Sequence, residues 1–318
     1  MVGAVLVYAG RIIGEGYHMQ YGGPHAEVNC IQSVKPEDEP LIAQSTIYVS
    51  LEPCSHHGKT PPCSDLIIER GIKRVVTGSH DPNPLVSGKG IARMRAAGIE
   101  VTEGLLAADC DELNRRFMTY HTAKRPYVIL KWAQTIDGFI APEGDEQVWL
   151  TNDYSKKLVH KWRTEEQAIL VGTRTALIDD PALTARLWQG RNPLRLLIDL
   201  DLRVPTTNQL FNTDADTVVY NLHREEVSGN IHYRKITQRS SLLPEIMADL
   251  YQRHILSLIV EGGAQTLQGF IDAGLYDEAR IFTAPVRLDA GIKAPTINAS
   301  LLNEDRLIDD LLQIWRRR

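Results

Sequence analysis

"PHAEVNC" (residues 24–30) and "LEPCSHHGKTPPC" (residues 51–63) set a histidine, an acid two residues on, and two cysteines framing a His- and Pro-rich loop close together in the chain. The residues are His25, Glu27, Cys54 and Cys63. A structural zinc usually takes four protein ligands, whereas a catalytic zinc takes three and keeps one position for water. His25, Cys54 and Cys63 supply three. Glu27 stands close enough to reach the water without filling a ligand position. Zinc lowers the pKa of such a water from roughly 15.7 to about 7, and a neighbouring carboxylate can carry its proton to a leaving amine. Cys54 follows the strand-like "IYVSL". Cys63 opens the helix-like "CSDLIIERG", where amide dipoles favour a thiolate. His56 and His57 compete as ligands, although the loop that carries them reads better as a substrate contact. The plain alternative is a core histidine, two ordinary buried cysteines and a surface glutamate. Against it stands the joint pattern of H-x-E and P-C…C, each on the element the chemistry needs.

Working outward, strand-like and helix-like segments alternate. "VGAVLVY" and "RIIGEGYH" flank the turn "AG" as a hairpin, "HAEVNCIQSV" is helical, and "STIYVSL" is a short buried strand. The helix "CSDLIIERG" stops at Gly71, the strand "IKRVVTGS" follows, the helix "GKGIARMRAAG" stops at Gly98, and "IEVTEG" is another strand. "AADCDELNRRFMTYHTA" reads as one helix. A join falls at "KRPYV" (residues 124–128), after which "YVILKWA" restarts the alternation. Helical "TNDYSKKLVHKWRTE", "SLLPEIMADLYQRH" and "AQTLQGFIDAG" are interleaved with the strands "QAILVG", "LRLLIDL", "DTVVYN", "SLIVEGG" and "DEARIFTAP". The reading is two α/β domains with largely parallel sheets, split near residue 125.

A chain of 318 residues with 43% hydrophobic and 24% charged residues has room for two cores. A net charge of −5 argues against a broad surface for nucleic acid, and the terminal "RRR" reads as a solvated tail. No apolar run reaches about 18 residues, so no membrane span is expected. Four cysteines (Cys30, Cys54, Cys63, Cys110) are too few for a disulfide scaffold and point to a reducing cytoplasm.

The first pattern resembles the cytidine-deaminase signature H-x-E…P-C-x-x-C, with eight residues between the cysteines in place of two. The longer loop, with "DPNPLVSGKG" (81–90) and "AAGIEV" (96–101), resembles the bifunctional deaminase/reductases of riboflavin biosynthesis. The second half fits the same family through "YVILKWAQTIDGFIA", "VGTRTALIDDPALTAR" (171–186) and "IVEGGAQTLQGFIDAGLYDEARIFTAP" (259–285). The resemblance implies a cytidine-deaminase-like α/β/α domain over residues 1–123 and a dihydrofolate-reductase-like α/β domain over residues 127–318. It implies one zinc per chain on His25, Cys54 and Cys63, with Glu27 moving protons, and Lys59 and Asn83 near the substrate. For NADPH it implies Ala133, Trp149, Thr175, Asp179, Leu200 (where a serine is expected) and a 263–269 loop of Gly263, Ala264, Gln265, Thr266, Leu267, Gln268 and Gly269. For a phosphoribosylamino-pyrimidine it implies Gln147, Arg163, Leu183, Arg186 and Glu261, the arginines suiting a sugar phosphate.

Read without the family, Gly262–Gly263 is a tight turn that leaves a strand and opens a helix able to receive a phosphate. Asp179–Asp180 before Pro181 is turn chemistry more than a metal pair. Lys131 and Asp137 are candidates for handling the proton of the reduction. The family further implies a cytoplasmic homodimer or homotetramer, with no nucleic acid and no membrane as partners. A helix and a "PNP" segment normally precede "VGAV", which here begins at Val2. The expectation is therefore that Met1 is internal to a longer chain; for a chain that starts at Met1, zinc binding is expected and deaminase activity is left open. Two rival readings stand beside this one: a nucleoside or nucleic-acid deaminase with an accessory binding domain, and a zinc-stapled binding module without activity.

Overall fold

The structure, a computed structural model, describes residues 1–20, 22–56, 61–83, 86–144 and 147–318. His57 and Lys59 lie outside the described residues. The chain forms two compact units, Met1–Ala123 and Lys124–Arg318. Among the described residues no helix is long and apolar enough to cross a membrane.

The first unit runs β1 (Gly3–Tyr8), β2 (Arg11–Tyr17), α1 (Ala26–Gln32), β3 (Thr46–Leu51), α2 (Cys63–Glu69), β4 (Arg74–Ser79), α3 (Lys89–Ala96), β5 (Glu100–Thr102), α4 (Ala107–Leu113) and α5 (Arg115–Ala123). Its sheet has the order β2-β1-β3-β4-β5, parallel from β3 to β5 and antiparallel around β1. The hairpin turn puts Ala9 (φ 48°) and Gly10 (φ 80°) in the left-handed region, the pair of positive φ values that suits the twist of the flanking strands. Gly16 lets α1 lie directly on β2, because a Cβ there would stand 2.3 Å from the amide nitrogen of Cys30. The core beneath is built from Leu6, Ile47, Ile67, Val75 and Met94, all buried. The single helix expected over 107–123 is two helices. Asn114 breaks it, its side-chain amide donating to the carbonyl of Cys110 at 3.2 Å and competing with the helical ladder.

The second unit runs β6 (Tyr127–Thr135), β7 (Phe139–Ala141), α6 (Asp153–Glu165), β8 (Ala168–Gly172), α7 (Thr173–Asp179), β9 (Leu194–Ile198), β10 (Thr217–Asn221), β11 (Glu226–Ser228), β12 (Ile231–Lys235), α8 (Leu242–Gln252), β13 (Ser257–Val260), α9 (Ala264–Asp272), β14 (Glu278–Ala284), β15 (Ile292–Lys293), β16 (Ala299–Leu307) and β17 (Asp310–Arg317). The main sheet has the order β11-β12-β10-β9-β8-β13-β6-β14-β17-β16. From β12 to β14 every pairing is parallel, and antiparallel strands close both edges. Residues of β6 alternate between two apolar layers, Val128, Leu130 and Trp132 in one and Tyr127 and Ile129 in the other. Both faces of the sheet are thus covered, which is why its central strands read as unbroken apolar runs.

The terminal arginines depart from the expectation of a solvated tail. Arg316 and Arg317 belong to β17, where Arg316 lies opposite Glu278 with its guanidinium 3.7 Å from that carboxylate, and Arg317 donates to the carbonyl of Gly274. A nearby acid and an open sheet edge draw the segment into the ladder.

Candidate active sites

His25 is the N-cap of α1 and Glu27 sits in its first turn. Cys54 leaves the end of β3, and Cys63 opens α2. The three ligand atoms lie within 4.8 Å of one another, with His25 Nδ1 3.5 Å from Cys54 Sγ and 3.3 Å from Cys63 Sγ. Among the described residues this is the one group of His, Cys, Asp or Glu so arranged, and Glu27 stands outside it. The Cys63 amide donates to Cys54 Sγ at 3.3 Å, so the α2 N-terminus steadies the first thiolate. The hydrogen bond from Cys63 holds the Cys54 thiol down to about 4, while donating that bond pushes Cys63 up. Glu27 is 3% exposed, and burial raises its carboxyl to about 7. Two sulfurs and an imidazole nitrogen converging on one buried point are the donor set zinc prefers.

A larger cavity of about 970 Å³ in the same unit opens over β1, β3 and β4, between Tyr17 and Leu106, and none of these four residues lines it. Its size does not mark the chemistry.

In the second unit a cavity of about 510 Å³ brings together Lys131, Gln147, Trp149, Arg163, Thr175, Asp179, Leu183, Arg186 and Glu261. Its floor is an ion cluster. Arg163 grips Glu261 through Nε (3.0 Å) and Nη2 (2.7 Å) and gives Nη1 to the carbonyl of Thr184, and Lys131 Nζ stands 3.6 Å from Glu261. Burial raises the Glu261 carboxyl, but the charges of Arg163 and Lys131 outweigh it and hold it at about 2. The Arg163 fork, expected to face a phosphate, is thus turned to an acid of its own chain; Arg186 is exposed at the rim. Ala133, Leu200 and Gly263–Gly269 do not line the cavity.

The stretch expected as a 263–269 loop is helical from Ala264 onward, in α9. Leu267 is buried in the core, so its side chain does not face a cofactor. Gly263 caps α9 without a side chain, which leaves the first-turn amides available to an anion. Its own N–H goes to Thr175 Oγ1 at 2.8 Å. Gly262 is demanded by packing, since a Cβ there would meet Gly172 N at 2.8 Å. The carbonyl of Leu200 is taken by the Leu222 amide. Asp180 closes α7 in the left-handed region and accepts the Gln209 amide, which is turn chemistry. Asp137 binds the amides of Leu288 and Asp289 and the hydroxyl of Thr135, so its carboxylate serves the loop more than a reaction.

Residues 1–79 match the cytidine and deoxycytidylate deaminase zinc-binding region, and residues 126–301 match the RibD C-terminal domain. The chain is 40% identical to riboflavin biosynthesis protein RibD of Aquifex aeolicus, over 99% of this chain and 92% of that protein. The RibD of Escherichia coli is 35% identical, over 89% and 81%. The chain belongs to the RibD family. Among solved structures, a diaminohydroxyphosphoribosylaminopyrimidine deaminase/5-amino-6-(5-phosphoribosylamino)uracil reductase of Thermotoga maritima is similar with TM-score 0.90 and 39% identity, covering 100% of this chain and 92% of that one. RibD of Acinetobacter baumannii is similar with TM-score 0.89 and 30% identity, with the same coverage. As a RibD, the chain is a bifunctional deaminase and reductase of riboflavin biosynthesis, with zinc and NADPH as cofactors.

Two RibD residues escaped the sequence reading. Glu52 stands beside the Pro53–Cys54 pair, buried, with both oxygens on backbone amides of and before α3. An acid placed directly before Pro-Cys was the available signal. His160 lines the reductase cavity at 4% exposure, with Nδ1 lacking a hydrogen-bond partner among the described residues. Only the helical spacing to Arg163, one turn on, could have raised it.

Proposed function

We propose that residues 1–123 hydrolyse the amino group of 2,5-diamino-6-ribosylamino-4(3H)-pyrimidinone 5′-phosphate, and that residues 127–318 reduce the ribosyl group of the product to ribityl. The observation that carries the reading is the convergence of His25, Cys54 and Cys63 with Glu27 buried beside them. Zinc, held by those three residues, supplies the Lewis acid that makes water a nucleophile near neutral pH. Glu27 takes the proton of the attacking water at a carboxylate oxygen and returns it to the departing amine. A carboxyl held at about 7 both accepts and releases that proton with little cost.

In the second unit NADPH supplies the hydride. The first-turn amides of α9 and the Thr175 hydroxyl fit its phosphates. Reduction at C1′ opens the ribose ring and needs one proton at the departing ring oxygen. Lys131 gives it; in support, Lys131 lines the cavity and burial lowers its pKa. Glu261 and Arg163 orient that lysine, and Arg186 receives the sugar phosphate at the rim. The enzyme works in the cytoplasm as a homodimer or homotetramer.

The test is Glu27→Gln. Zinc stays bound at one per chain while ammonia release falls by about 10²–10⁴. Ammonia release at the parent rate would remove Glu27 from the chemistry.

A further inference from the structure

We infer that Glu52 is a positioning residue of the deaminase site, fixing the Cys54 ligand to the N-terminus of α3 so that the metal and the α3 backbone are held as one piece. Its side chain is wholly buried. Oε2 accepts the amide of Gly88 at 2.9 Å and of Asp81 at 3.5 Å, and Oε1 accepts those of Gly90 at 3.1 Å and Ile91 at 3.4 Å. Helix α3 has Gly88 as N-cap, with no side chain to bind its first amides. The carboxylate of Glu52 takes that place from the end of β3, where the helix dipole favours negative charge.

The connection to the ligand is short and stiff. Only Pro53, whose ring fixes φ, separates Glu52 from Cys54. The contact is backbone against backbone, because a Cβ on Gly90 would lie 2.0 Å from the carbonyl oxygen of Pro53. Beyond it, the Cys54 carbonyl accepts the Ser64 amide at 3.1 Å and Cys54 Sγ accepts the Cys63 amide. Both cysteines therefore hang from a backbone anchored at Glu52. Asp81, just ahead of the candidate substrate residue Asn83, is on the same anchor.

This rests on the zinc reading above. The experiment uses the full, zinc-loaded chain and times zinc transfer to a chromogenic chelator for the parent, Glu52→Gln and Ile42→Val. Ile42 is buried in the same core but is not among the zinc ligands or the partners of Glu52. Gln at 52 sets an NH₂ against amide donors. The expected result is zinc release about 10–100-fold faster than in the parent, with Ile42→Val close to the parent. Release from Glu52→Gln no faster than from Ile42→Val would overturn the role. A second measurement needs no variant: hydrogen exchange of the parent with and without zinc. Coupling is reciprocal, so removing zinc speeds exchange at Gly88, Gly90 and Ile91, and unchanged exchange there would overturn the role equally. A parent that binds no zinc at all would instead overturn the functional reading and this role with it, a result distinct from zinc that binds and leaves at equal rates.

Discussion

Glu261 carries two cations at the wall of the reductase cavity, and that makes it the residue on which the cavity depends. Its carboxyl is held at about 2, below the unfolded value near 4.5, so the stabilisation is complete above pH 4.5 and is lost as pH falls toward 2. Glu261→Gln leaves Arg163 and Lys131, both half-buried at the cavity, without their counter-charge, and we expect a loss of about 1–3 kcal/mol. All five tryptophans (Trp132, Trp149, Trp162, Trp188, Trp315) lie in the second unit. Tryptophan fluorescence during denaturant unfolding therefore reads this unit alone, and an unchanged midpoint would argue against the cluster. His160 has the opposite chemistry in the same cavity. Burial, with the charges of Arg163 and Arg186, holds its pKa down at about 4, so the native state keeps it neutral. Its contribution is complete above pH 6.5 and is lost as pH falls through 6.5 toward 4. His160→Phe should flatten the fall of the tryptophan-monitored Tm between pH 6.5 and 4.5; an equally steep fall would assign it to other groups. The sequence showed His25, Glu27, Cys54 and Cys63 because each pair is close in the chain. It hid Glu52 because that residue's partners lie 29 to 39 positions away.

Helix α1 bears His25 and Glu27, and its depth is set by the missing side chain at Gly16. Gly16→Ala pushes α1 off β2 by forcing a Cβ against the Cys30 amide. We expect zinc affinity to fall by at least about tenfold, on the scale of changes to groups that orient metal ligands; chelator competition at the parent level would sink the argument. Gly262→Ala works the same way on α9, raising the KM for NADPH while leaving zinc content unchanged, and an unaltered KM would show that the turn tolerates a Cβ. The central strands β8, β10 and β13 were legible in the sequence because they are buried on both faces. β16 was not: every residue from Ser300 to Arg306 is exposed, so no period-2 pattern marks it, and its place follows from pairing with β17. The two close glycine approaches were equally hidden, since "GEG" reads as plain strand and "EGG" as a tight turn until the partner element is in place.

At the scale of the molecule, two units carry two chemistries in the order in which the substrate needs them. Water replaces an amino group first, and hydride then opens the ribose. Both steps occur on this chain, and only the first requires zinc. The measurement that tests it most directly is NADPH oxidation by the zinc-loaded chain, with the phosphoribosylamino-pyrimidine supplied before and after deamination, each with and without a zinc chelator. Oxidation with both substrates, with the chelator silencing only the pre-deamination one, is the predicted result. Oxidation of the pre-deamination substrate that survives complete zinc removal, or none with the deaminated substrate from folded protein, would contradict it.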